Sequence, residues 1–327
     1  MNTHAIRIHD YGDASVLRWE SVELPAPGPG EAQVRHTAVG LNFIDVYHRT
    51  GLYPVGDLPS GLGMEAAGVV ESVGDGVTEV AVGDRVAYAN GPLGAYCERR
   101  NLPAARVVKL PDTIEDRQAA AMMLQGMTAE YLLRRLHTVR AGDTILIHAA
   151  AGGVGLIACQ WARHLGATVI GTVGSDEKAA LARAHGCQYP IVYTREDFVE
   201  RVAEITGGVG VPVVYDSVGK DTFMRSLDCL RPRGLMVSFG QSSGKVPPFD
   251  IGILSKKGSL YLTRPTLATY AASREDLVAG AGALFEVVGS GAVKIAVNQT
   301  FPLADAGAAH RALEARRTTG STVLLPD

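Results

Sequence analysis

The sequence predicts an α/β fold that combines a doubly wound parallel sheet with a separate β-rich region, and two observations support this. Residues 1 to roughly 110 are rich in turn-forming glycine and proline and contain short alternating runs, such as Glu31 to Val39 and Gly68 to Val73. This pattern is typical of a compact barrel or sandwich. From Thr144 onward, β-rich runs alternate with helical segments. Such alternation indicates a parallel sheet with helices on both faces.

The remaining elements follow in chain order. Apolar residues recur at helical spacing from Asp116 to Leu136, which predicts a helical bridge between the two parts. The strands of the parallel sheet are predicted at 144–147, 168–173, 191–193, 213–216, 235–239 and 259–263. The tail carries predicted helices near 274–288 and 304–316 and a strand at 322–325. Because the parallel sheet already has its strands, we expect the tail to return to the first domain, which gives domains of 1–125, 126–265 and 266–327.

A glycine-rich segment lies at the first strand-to-helix turn of the predicted parallel sheet. It reads His148-Ala149-Ala150-Ala151-Gly152-Gly153-Val154-Gly155, and it is followed by apolar residues at helical spacing up to Leu165. Small residues let the backbone approach a pyrophosphate, and the N–H groups at the start of a helix favour its negative charge. The segment therefore predicts a dinucleotide site of Rossmann type, although Ala150 replaces the usual first glycine.

The end of the second predicted strand indicates which dinucleotide binds. A site for NAD needs an acidic residue there, about 20 residues from the glycines, to accept hydrogen bonds from the ribose 2′-hydroxyl. Counting 19 residues on from Gly155 gives Gly174, which has no carboxylate to repel a 2′-phosphate. Lys178 follows within one helical turn. We therefore expect NADPH rather than NADH; the alternative is that Lys178 is an ordinary solvated helix lysine.

Composition and charge exclude several classes of function. The 327-residue chain has a net charge of −3 with both signs interspersed, so it lacks the basic surface of a nucleic-acid-binding protein. The four cysteines are far apart in sequence and suggest neither a disulfide framework nor a metal site. No leader segment or apolar run of membrane-spanning length is evident. We expect a cytoplasmic protein whose partners are small molecules.

Further motifs, spread over nearly the whole chain, carry a family resemblance. They are Asn42-Phe43-Ile44-Asp45-Val46-Tyr47, Gly51-Leu52-Tyr53-Pro54, Gly63-Met64-Glu65-Ala66-Ala67-Gly68, Gly83-Asp84-Arg85-Val86, Gln160-Trp161-Ala162-Arg163, Tyr215-Asp216-Ser217-Val218-Gly219 and Gly258-Ser259-Leu260-Tyr261. With them the chain resembles a zinc-free medium-chain dehydrogenase/reductase, specifically the NADPH:quinone oxidoreductases of the zeta-crystallin group. The resemblance implies a GroES-like catalytic domain beside a Rossmann NADPH-binding domain.

The resemblance can be tested against the chemistry that zinc-containing relatives need. Their catalytic Zn²⁺ is held by Cys and His side chains, but at the matching places this chain has Asn42, and Met64 beside Glu65. The segment 90–97, which would carry the cysteines of a structural zinc, has only Cys97. We therefore expect no metal. Without a Lewis acid, the enzyme is suited to acceptors that are already electrophilic, such as a quinone or an activated alkene.

The resemblance also implies which residues contact the cofactor. It places Asn42, Thr128 and Phe239 near the nicotinamide, and the pyrophosphate on the turn formed by Gly152, Gly153, Val154 and Gly155. Lys178, Tyr193 and Arg316 would surround the 2′-phosphate beside Gly174; Ser217, Gln241 and Arg264 would line the rest of the groove; Tyr131 is a further candidate. Alternative interpretations remain for three of them: Tyr193 as a half-buried strand residue, Arg316 as a solvated helix-end charge, and Ser217 as a turn residue.

The first domain is expected to supply the substrate contacts. The resemblance places Asn42, Asp45, Tyr47 and Tyr53 opposite the nicotinamide, across an interdomain cleft, as catalytic candidates. An asparagine amide donates and accepts at once, and a tyrosine hydroxyl could bind a quinone oxygen or relay a proton. The alternatives are that the two tyrosines pack as aromatic rings and that Asp45 holds a neighbouring backbone or tyrosine in place. His148 is expected to be a buried, hydrogen-bonded core residue, and no hydrolase constellation is evident.

These inferences predict an NADPH-dependent reduction of quinones, by hydride or single-electron transfer in the cleft and without metal. Two alternatives remain: reduction of an activated carbon–carbon double bond in an enal or enone, and a non-catalytic NADPH-binding role. A homodimer is also expected. The outer strand predicted at 259–263 carries Leu260, Tyr261 and Leu262, which are too apolar for an open sheet edge.

Overall fold

The computed structural model describes residues 1–326, which form two compact units. Unit 1 contains Met1–Met127, Ala271–Gly289 and the chain from Ile295 onward, whereas unit 2 contains Thr128–Tyr270 and Ser290–Lys294. The divisions thus fall at 127/128 and 270/271 rather than at the predicted 125/126 and 265/266. The short segment 290–294 groups with unit 2, which the predicted boundaries did not include.

The strands are distributed over both units. In chain order they are β1 (Asn2–Ile8), β2 (Arg18–Glu23), β3 (Glu31–Leu41), β4 (Ser60–Gly61), β5 (Glu65–Val73), β6 (Arg85–Ala89), β7 (Arg99–Pro103), β8 (Val108–Lys109), β9 (Thr144–Ile147), β10 (Thr168–Val173), β11 (Tyr189–Val192), β12 (Val211–Asp216), β13 (Leu230–Ser238), β14 (Tyr261–Thr263), β15 (Val297–Pro302) and β16 (Ser321–Leu325).

The helices connect these strands. They are α1 (Phe43–Arg49), α2 (Asp116–Ala120), α3 (Met123–Glu130), α4 (Gly153–His164), α5 (Asp176–Ala184), α6 (Phe198–Ile205), α7 (Phe223–Ser226), α8 (Gly252–Lys256), α9 (Leu267–Tyr270), α10 (Arg274–Gly289) and α11 (Ala306–Glu314). A π-helical turn, Tyr131–Leu136, continues α3. Short 3₁₀ turns occur at Ala14–Val16, Ala104–Arg106, Leu227–Cys229 and Leu303–Asp305.

Unit 1 is built on two mainly antiparallel sheets. One has the order β2-β1-β4, and the other has the order β15-β16-β3-β5-β6-β8 with β7 pairing β3. The chain returns to this unit through β16, which pairs with β3 in the register Thr322↔Leu41. Apolar side chains of both sheets, including Ile8, Val34 and Leu324, form one buried cluster. Burial of each such side chain stabilises the fold by about 2 kcal/mol.

Unit 2 contains a fully parallel sheet with the order β11-β10-β9-β12-β13-β14. Every residue of β12 is buried, as expected for a central strand that is covered on both faces. The strand order reverses direction between β9 and β12. In doubly wound sheets, ligands bind outside the carboxyl ends of the strands at this switch point. The glycine-rich turn follows β9 and therefore lies at that place.

The predicted helix from 116 to 136 is wrong as a continuous element. α2 ends at Ala120, α3 begins at Met123, and the last turn is π-helical. In an unbroken helix the Leu124 N–H would donate to the carbonyl of residue 120. It donates instead to Oε1 of Glu65 at 2.8 Å. A tertiary contact thus competes with the helix, and the helical spacing of the sequence does not reveal it.

Some predicted strand ends also need correction. β11 covers Tyr189–Val192, so Tyr193 lies just outside it, and β13 begins at Leu230 rather than 235. β14 begins at Tyr261, and Leu260 is only 7% exposed because it packs into the core of unit 2. Leu260 therefore does not contribute to the sheet edge, although the sequence predicted that it would.

In residues 1–326 no helix combines the length and apolar character needed to cross a membrane.

Candidate functional site

The turn between β9 and α4 leaves room for an anion against the backbone. A Cβ atom added at Gly155 would lie 2.8 Å from the carbonyl carbon and Cα of Ala150, so only glycine fits there. Ala149 has a φ of +54°, which tightens the turn. Gly152 precedes α4 without any side-chain cap, and the first helical turn has no acidic residue. The N–H groups at the start of this 12-residue helix therefore suit a phosphate.

The end of β10 brings Gly174, Tyr193 and Lys178 into one region of unit 2. A Cβ at Gly174 would lie 3.0 Å from the Tyr193 hydroxyl, so the ring covers the glycine. Ser175 caps α5 by accepting a hydrogen bond from the Lys178 N–H at 3.3 Å. The nearby Asp176 carboxylate is paired with Arg195 through two bonds of 2.6 Å. This arrangement favours a phosphate group over a ribose hydroxyl because no carboxylate occupies position 174.

The carboxyl ends of β12 and β13 carry three further predicted cofactor contacts of unit 2. Asp216 is buried, and its Oδ1 accepts hydrogen bonds from the N–H groups of Val218 at 2.8 Å and Gly219 at 3.0 Å. This shapes the turn that contains Ser217. Phe239 N–H donates to the Asp216 carbonyl at 2.8 Å. Because all strands are parallel, Ser217, Phe239 and Gln241 lie at the same edge of the sheet as the glycine turn.

Arg264 directly follows β14 and is exposed. It lines a pocket of about 470 Å³ together with Phe223, Ser238, Val246, Pro247, Pro248, Phe249 and Leu262. The wall of this pocket is mainly apolar, and the guanidinium supplies charge at one side.

Tyr131 and Thr128 lie on α3 and its π-helical continuation, and both are buried. The Tyr131 ring stacks on Tyr270 with centroids 4.4 Å apart and an interplanar angle of 9°. Burial raises the pKa of the Tyr131 hydroxyl above its ordinary value, although the positive charge of Arg264 opposes this. Tyr131 thus remains protonated and can donate a hydrogen bond.

His148 is a core residue, as expected. It is 1% exposed; its Nδ1 lies 2.8 Å from the Thr172 hydroxyl and its Nε2 lies 2.9 Å from that of Ser226. Burial lowers the pKa of the imidazole. With both ring nitrogens occupied by buried hydroxyls, His148 fixes strand ends rather than acting on a ligand.

In unit 1 the Asn42 side chain is held at both ends. Asn42 is 5% exposed at the junction of β3 and α1. Its Nδ2 donates to Oε2 of Glu65 at 2.6 Å, and its Oδ1 accepts from Nε2 of Gln125 at 3.0 Å. Gln125 in turn accepts at Oε1 from the Ser321 hydroxyl at 2.7 Å. The amide orientation is therefore fixed by neighbours from β5, α3 and β16.

Asp45 is buried in the first turn of α1 and organises that turn. Its Oδ2 accepts hydrogen bonds from the Asn42 N–H at 2.8 Å and from the Tyr96 hydroxyl at 2.9 Å. Burial raises the pKa of the Asp45 carboxyl to about 7, while these two bonds oppose the rise. This is the alternative considered above, in which Asp45 holds a backbone and a tyrosine in place.

Behind Asp45, the hydrogen bonds continue to the surface. The Tyr96 hydroxyl lies 3.1 Å from Nε2 of His310, whose Nδ1 lies 3.1 Å from the Arg49 guanidinium. Since an arginine can only donate, Nδ1 must accept and Nε2 must carry the hydrogen. Arg49, 1% exposed in its side chain, is bound by both carboxylate oxygens of Glu314 at 2.9 and 2.7 Å. This ion pair connects α1 to α11.

Tyr47 and Tyr53 lie next to each other in unit 1. Their ring centroids are 5.1 Å apart in an edge-to-face arrangement, and Phe43 lies 5.6 Å from Tyr47. Tyr47 is buried and Tyr53 is half-buried. The packing fits the aromatic alternative.

Arg316 lies just beyond the end of α11 with a φ of +57°, and its side chain is exposed.

Comparisons with known proteins match this architecture over the whole chain. Residues 28–137 match the alcohol dehydrogenase GroES-like domain, and residues 153–276 match the zinc-binding dehydrogenase family. A quinone oxidoreductase of Pseudomonas aeruginosa is 58% identical, over 98% of this chain and 99% of that protein. The chain belongs to the quinone oxidoreductase family.

Two further relatives are similar over nearly their full length. A 2-haloacrylate reductase of Burkholderia is 50% identical over 98% of both chains. The crystal structure of Escherichia coli quinone oxidoreductase complexed with NADPH is 51% identical and has a TM-score of 0.97, covering 99% of this chain and 100% of that one. The expected fold class, a GroES-like domain with a Rossmann sheet, is confirmed.

Sequence reasoning about this quinone oxidoreductase family member missed the partners of Asn42. Gln125 and Ser321 lie 83 and 279 residues away from it, so no local pattern connects them. Glu65 did carry a signal, because it directly precedes the small and apolar run Ala66 to Val70, and a carboxylate is seldom buried without a hydrogen-bond partner. The sequence also did not show that two cysteines lie side by side. Cys159 and Cys187 are close enough to hydrogen bond, which raises the pKa of the Cys159 thiol.

Among residues 1–326, no cluster of three or more His, Cys, Asp or Glu side chains is arranged to hold a metal ion.

Proposed function

We propose that this chain is an NADPH-dependent quinone reductase. The observation that carries the proposal is the agreement between its phosphate turn, with Gly174 and Lys178 beyond it, and a relative that is 51% identical and was crystallised with NADPH. The name of the 58% identical Pseudomonas relative supports the quinone as acceptor. NADPH would supply the hydride or electrons when bound.

Each unit contributes residues of defined chemistry to this proposal. In unit 2 the turn at Gly152 to Gly155 would bind the pyrophosphate, and Lys178 and Tyr193 the 2′-phosphate. Ser217, Phe239, Gln241 and Arg264 would contact the remainder, with Thr128 and Tyr131. In unit 1, Arg316 is proposed as a further phosphate contact, and Asn42 as the amide that binds a carboxamide or carbonyl.

The acceptor is proposed to be bound by neutral hydrogen-bonding groups and aromatic rings rather than by a metal. Tyr47 and Tyr53 offer hydroxyls beside aromatic faces, which suits a planar quinone. Asp45 would act through Asn42 and Tyr96, which it already binds. The Asn42 amide is engaged by Glu65 and Gln125, and an amide so held is a poor metal ligand. We therefore expect full activity after dialysis against a chelator.

Reduction of an activated carbon–carbon double bond is the second candidate, and the 50% identical 2-haloacrylate reductase favours it. The deciding experiment measures NADPH oxidation with a naphthoquinone, with an alkenal and with a 2-haloacrylate. Turnover of the naphthoquinone at the highest kcat/KM supports the first proposal. Activity confined to the alkene substrates would replace it with the second. Tight NADPH binding without turnover of any of them would favour a non-catalytic role.

We also propose that the protein is a homodimer and that it is located in the cytoplasm. β14 forms the outer edge of the parallel sheet, and Tyr261 is 62% exposed on it. A second copy could pair with this edge and cover the ring.

A further inference from the structure

Glu65, Asn42, Gln125 and Ser321 form a buried hydrogen-bonded set, called here the Glu65 network. Its members come from the first residue of β5, the junction of β3 and α1, α3, and the first residue of β16. The space for the carboxylate is built into the fold: a Cβ on Gly40, in the neighbouring strand β3, would lie 2.7 Å from Cδ of Glu65. A glycine opposite a buried carboxylate indicates that the carboxylate has a defined place.

The observed network is directional. The Leu124 N–H can only donate, so Oε1 of Glu65 must accept, at 2.8 Å. Oε2 accepts from Nδ2 of Asn42 at 2.6 Å, and both oxygens acting as acceptors correspond to the ionised carboxylate. The Asn42 oxygen then faces Nε2 of Gln125, and the Gln125 oxygen faces the Ser321 hydroxyl. Ionised Glu65 thus determines the orientation of both amides.

A protonated Glu65 requires the opposite pattern. Because Oε1 still accepts from Leu124, the proton must sit on Oε2, which then needs an acceptor. Rotation of the Asn42 amide presents Oδ1 to it, and rotation of the Gln125 amide presents Oε1 to Asn42. Nε2 of Gln125 then donates to the Ser321 oxygen, and the Ser321 hydrogen goes to the Ala121 carbonyl, which is already 2.8 Å away. Each of the four members of the network thus keeps a hydrogen-bond partner in both patterns.

We propose that Glu65 is a positioning residue that selects the orientation of the Asn42 amide and so decides whether a ligand meets an N–H donor or an oxygen acceptor there. The inference rests on the proposed function, in which Asn42 contacts the bound ligand. Nδ2 of Asn42 carries two hydrogens, and the network uses one of them. A quinone carbonyl needs a donor, so the position occupied by Nδ2 matches it only when Glu65 is ionised.

The surroundings of Glu65 bring its ionisation, and with it the proposed rotation of the Asn42 amide, close to neutral pH. Burial raises the pKa of the Glu65 carboxyl to about 8; the bonds from Asn42 and Leu124 oppose the rise, and the negative charge of Asp45 on α1 adds to it. The other titratable groups that face Glu65 are the hydroxyls of Tyr88 on β6 and of Tyr96, whose pKa values burial raises further above 10. Both tyrosines therefore stay neutral while Glu65 titrates.

The first test is the pH profile of kcat/KM for a naphthoquinone in wild type and Glu65→Gln. In the variant, Oε1 still accepts from Leu124 and the amide nitrogen faces Asn42, which imposes the protonated pattern permanently. We expect the wild-type value to rise about 10-fold between pH 6 and 9.5, the effect of one hydrogen bond, with a midpoint near 8. Glu65→Gln should stay flat at the wild-type low-pH level. A variant that keeps the full rise would overturn the proposal.

Two further variants separate Glu65 from other groups. Glu71→Gln makes the same change on the same strand at a half-buried ion pair with Arg35 and Arg99, outside the Glu65 network, and it should keep the rise. Asp45→Asn should also keep it but move the midpoint to lower pH, because a neighbouring negative charge is removed. Loss of the rise in Asp45→Asn would assign the titration to Asp45 and contradict the proposal.

The second test needs no turnover. The side-chain amide NMR signals of Asn42, assigned by their loss in Asn42→Asp, should shift between pH 6 and 9.5 with a midpoint near 8 in the wild-type protein and stay constant in Glu65→Gln. Asn42 signals that do not respond to pH in wild type would overturn the role of Glu65. A protein that shows this shift but reduces no quinone would instead overturn the proposed function alone.

Discussion

At the scale of single residues, Lys178 is the side chain with the most direct bearing on cofactor choice. It lies in the first turn of α5, close to Gly174, where no carboxylate opposes a phosphate. We expect Lys178→Ala to raise the dissociation constant of NADPH about 10- to 100-fold, since a charge-assisted hydrogen bond to phosphate is lost. NADH binding should hardly change.

The control for this prediction is Arg183→Ala, which removes an exposed positive charge from the last turn of the same helix. Fluorescence titration with both nucleotides distinguishes the two variants. Equal weakening of NADPH and NADH binding by Lys178→Ala would show that the lysine supports the helix rather than the 2′-phosphate.

The residues that the sequence could identify are those whose roles are local. Gly155 and Gly174 are recognisable because a turn and a strand end demand small residues at fixed spacing. The orientation of Asn42 depends on Glu65, Gln125 and Ser321, which only the folded chain brings together. Hydrogen bonds between distant strands leave no periodic pattern, so this part of the site became visible only in the structure.

At the scale of elements, the start of α4 requires that the backbone at Gly155 pack closely against the backbone of Ala150. Gly155→Ala would place a Cβ 2.8 Å from Ala150 backbone atoms, so the turn must move. We expect the variant to unfold at a lower temperature, with a loss of about 1–3 kcal/mol, and to bind NADPH at least about 10-fold more weakly, since the N–H groups of the turn are displaced.

Gly282→Ala on α10 is the matched control for Gly155→Ala. An added Cβ there meets no atom within 4 Å, and alanine is the better helix former by about 1 kcal/mol. Thermal unfolding should therefore move upward for Gly282→Ala and downward for Gly155→Ala. A Gly155→Ala protein with unchanged stability and NADPH affinity would contradict the proposed role of the turn.

The attachment of α1 to α11 depends on a buried charge. Glu314→Gln leaves the Arg49 guanidinium, 1% exposed, without its negative partner. We expect a loss of about 2–3 kcal/mol in the free energy of unfolding, because an uncompensated buried charge is costly. Asp176→Asn breaks an ion pair with the same two-bond geometry whose side chains are 67% and 56% exposed, and it should cost under about 1 kcal/mol.

Denaturant unfolding of both variants measures this difference. If both variants lose the same free energy of unfolding, the burial of Arg49 does not make its ion pair with Glu314 more important for stability than an exposed ion pair.

Element boundaries show where sequence patterns fail for a physical reason. β9 and β10 agree with their predicted limits because apolar β-branched runs end at turn residues. The helical bridge was predicted as one segment, since its apolar spacing continues without interruption. It breaks where the Leu124 N–H bonds to Glu65. Tertiary partners override local preference there.

At the scale of the whole molecule, the alternation of strands and helices was sufficient to predict the parallel sheet. It could not show which strand of unit 1 receives the tail, because pairing of β16 with β3 joins residues more than 280 positions apart. Register across such a distance is decided by packing of the sheet faces rather than by any local sequence.

The open edge of β14 carries the last prediction. Tyr261 and Leu262 are 62% and 37% exposed on an outer strand that pairs only with β13 within the described chain. If a second copy covers this edge, Tyr261→Lys should convert a dimer into a monomer in sedimentation velocity at micromolar concentration, since a lysine at a sheet edge opposes pairing. Val278→Lys, which charges an exposed apolar position on α10, should remain dimeric. A wild-type protein that sediments as a monomer would refute the dimer, and a dimeric Tyr261→Lys would place the interface on another surface.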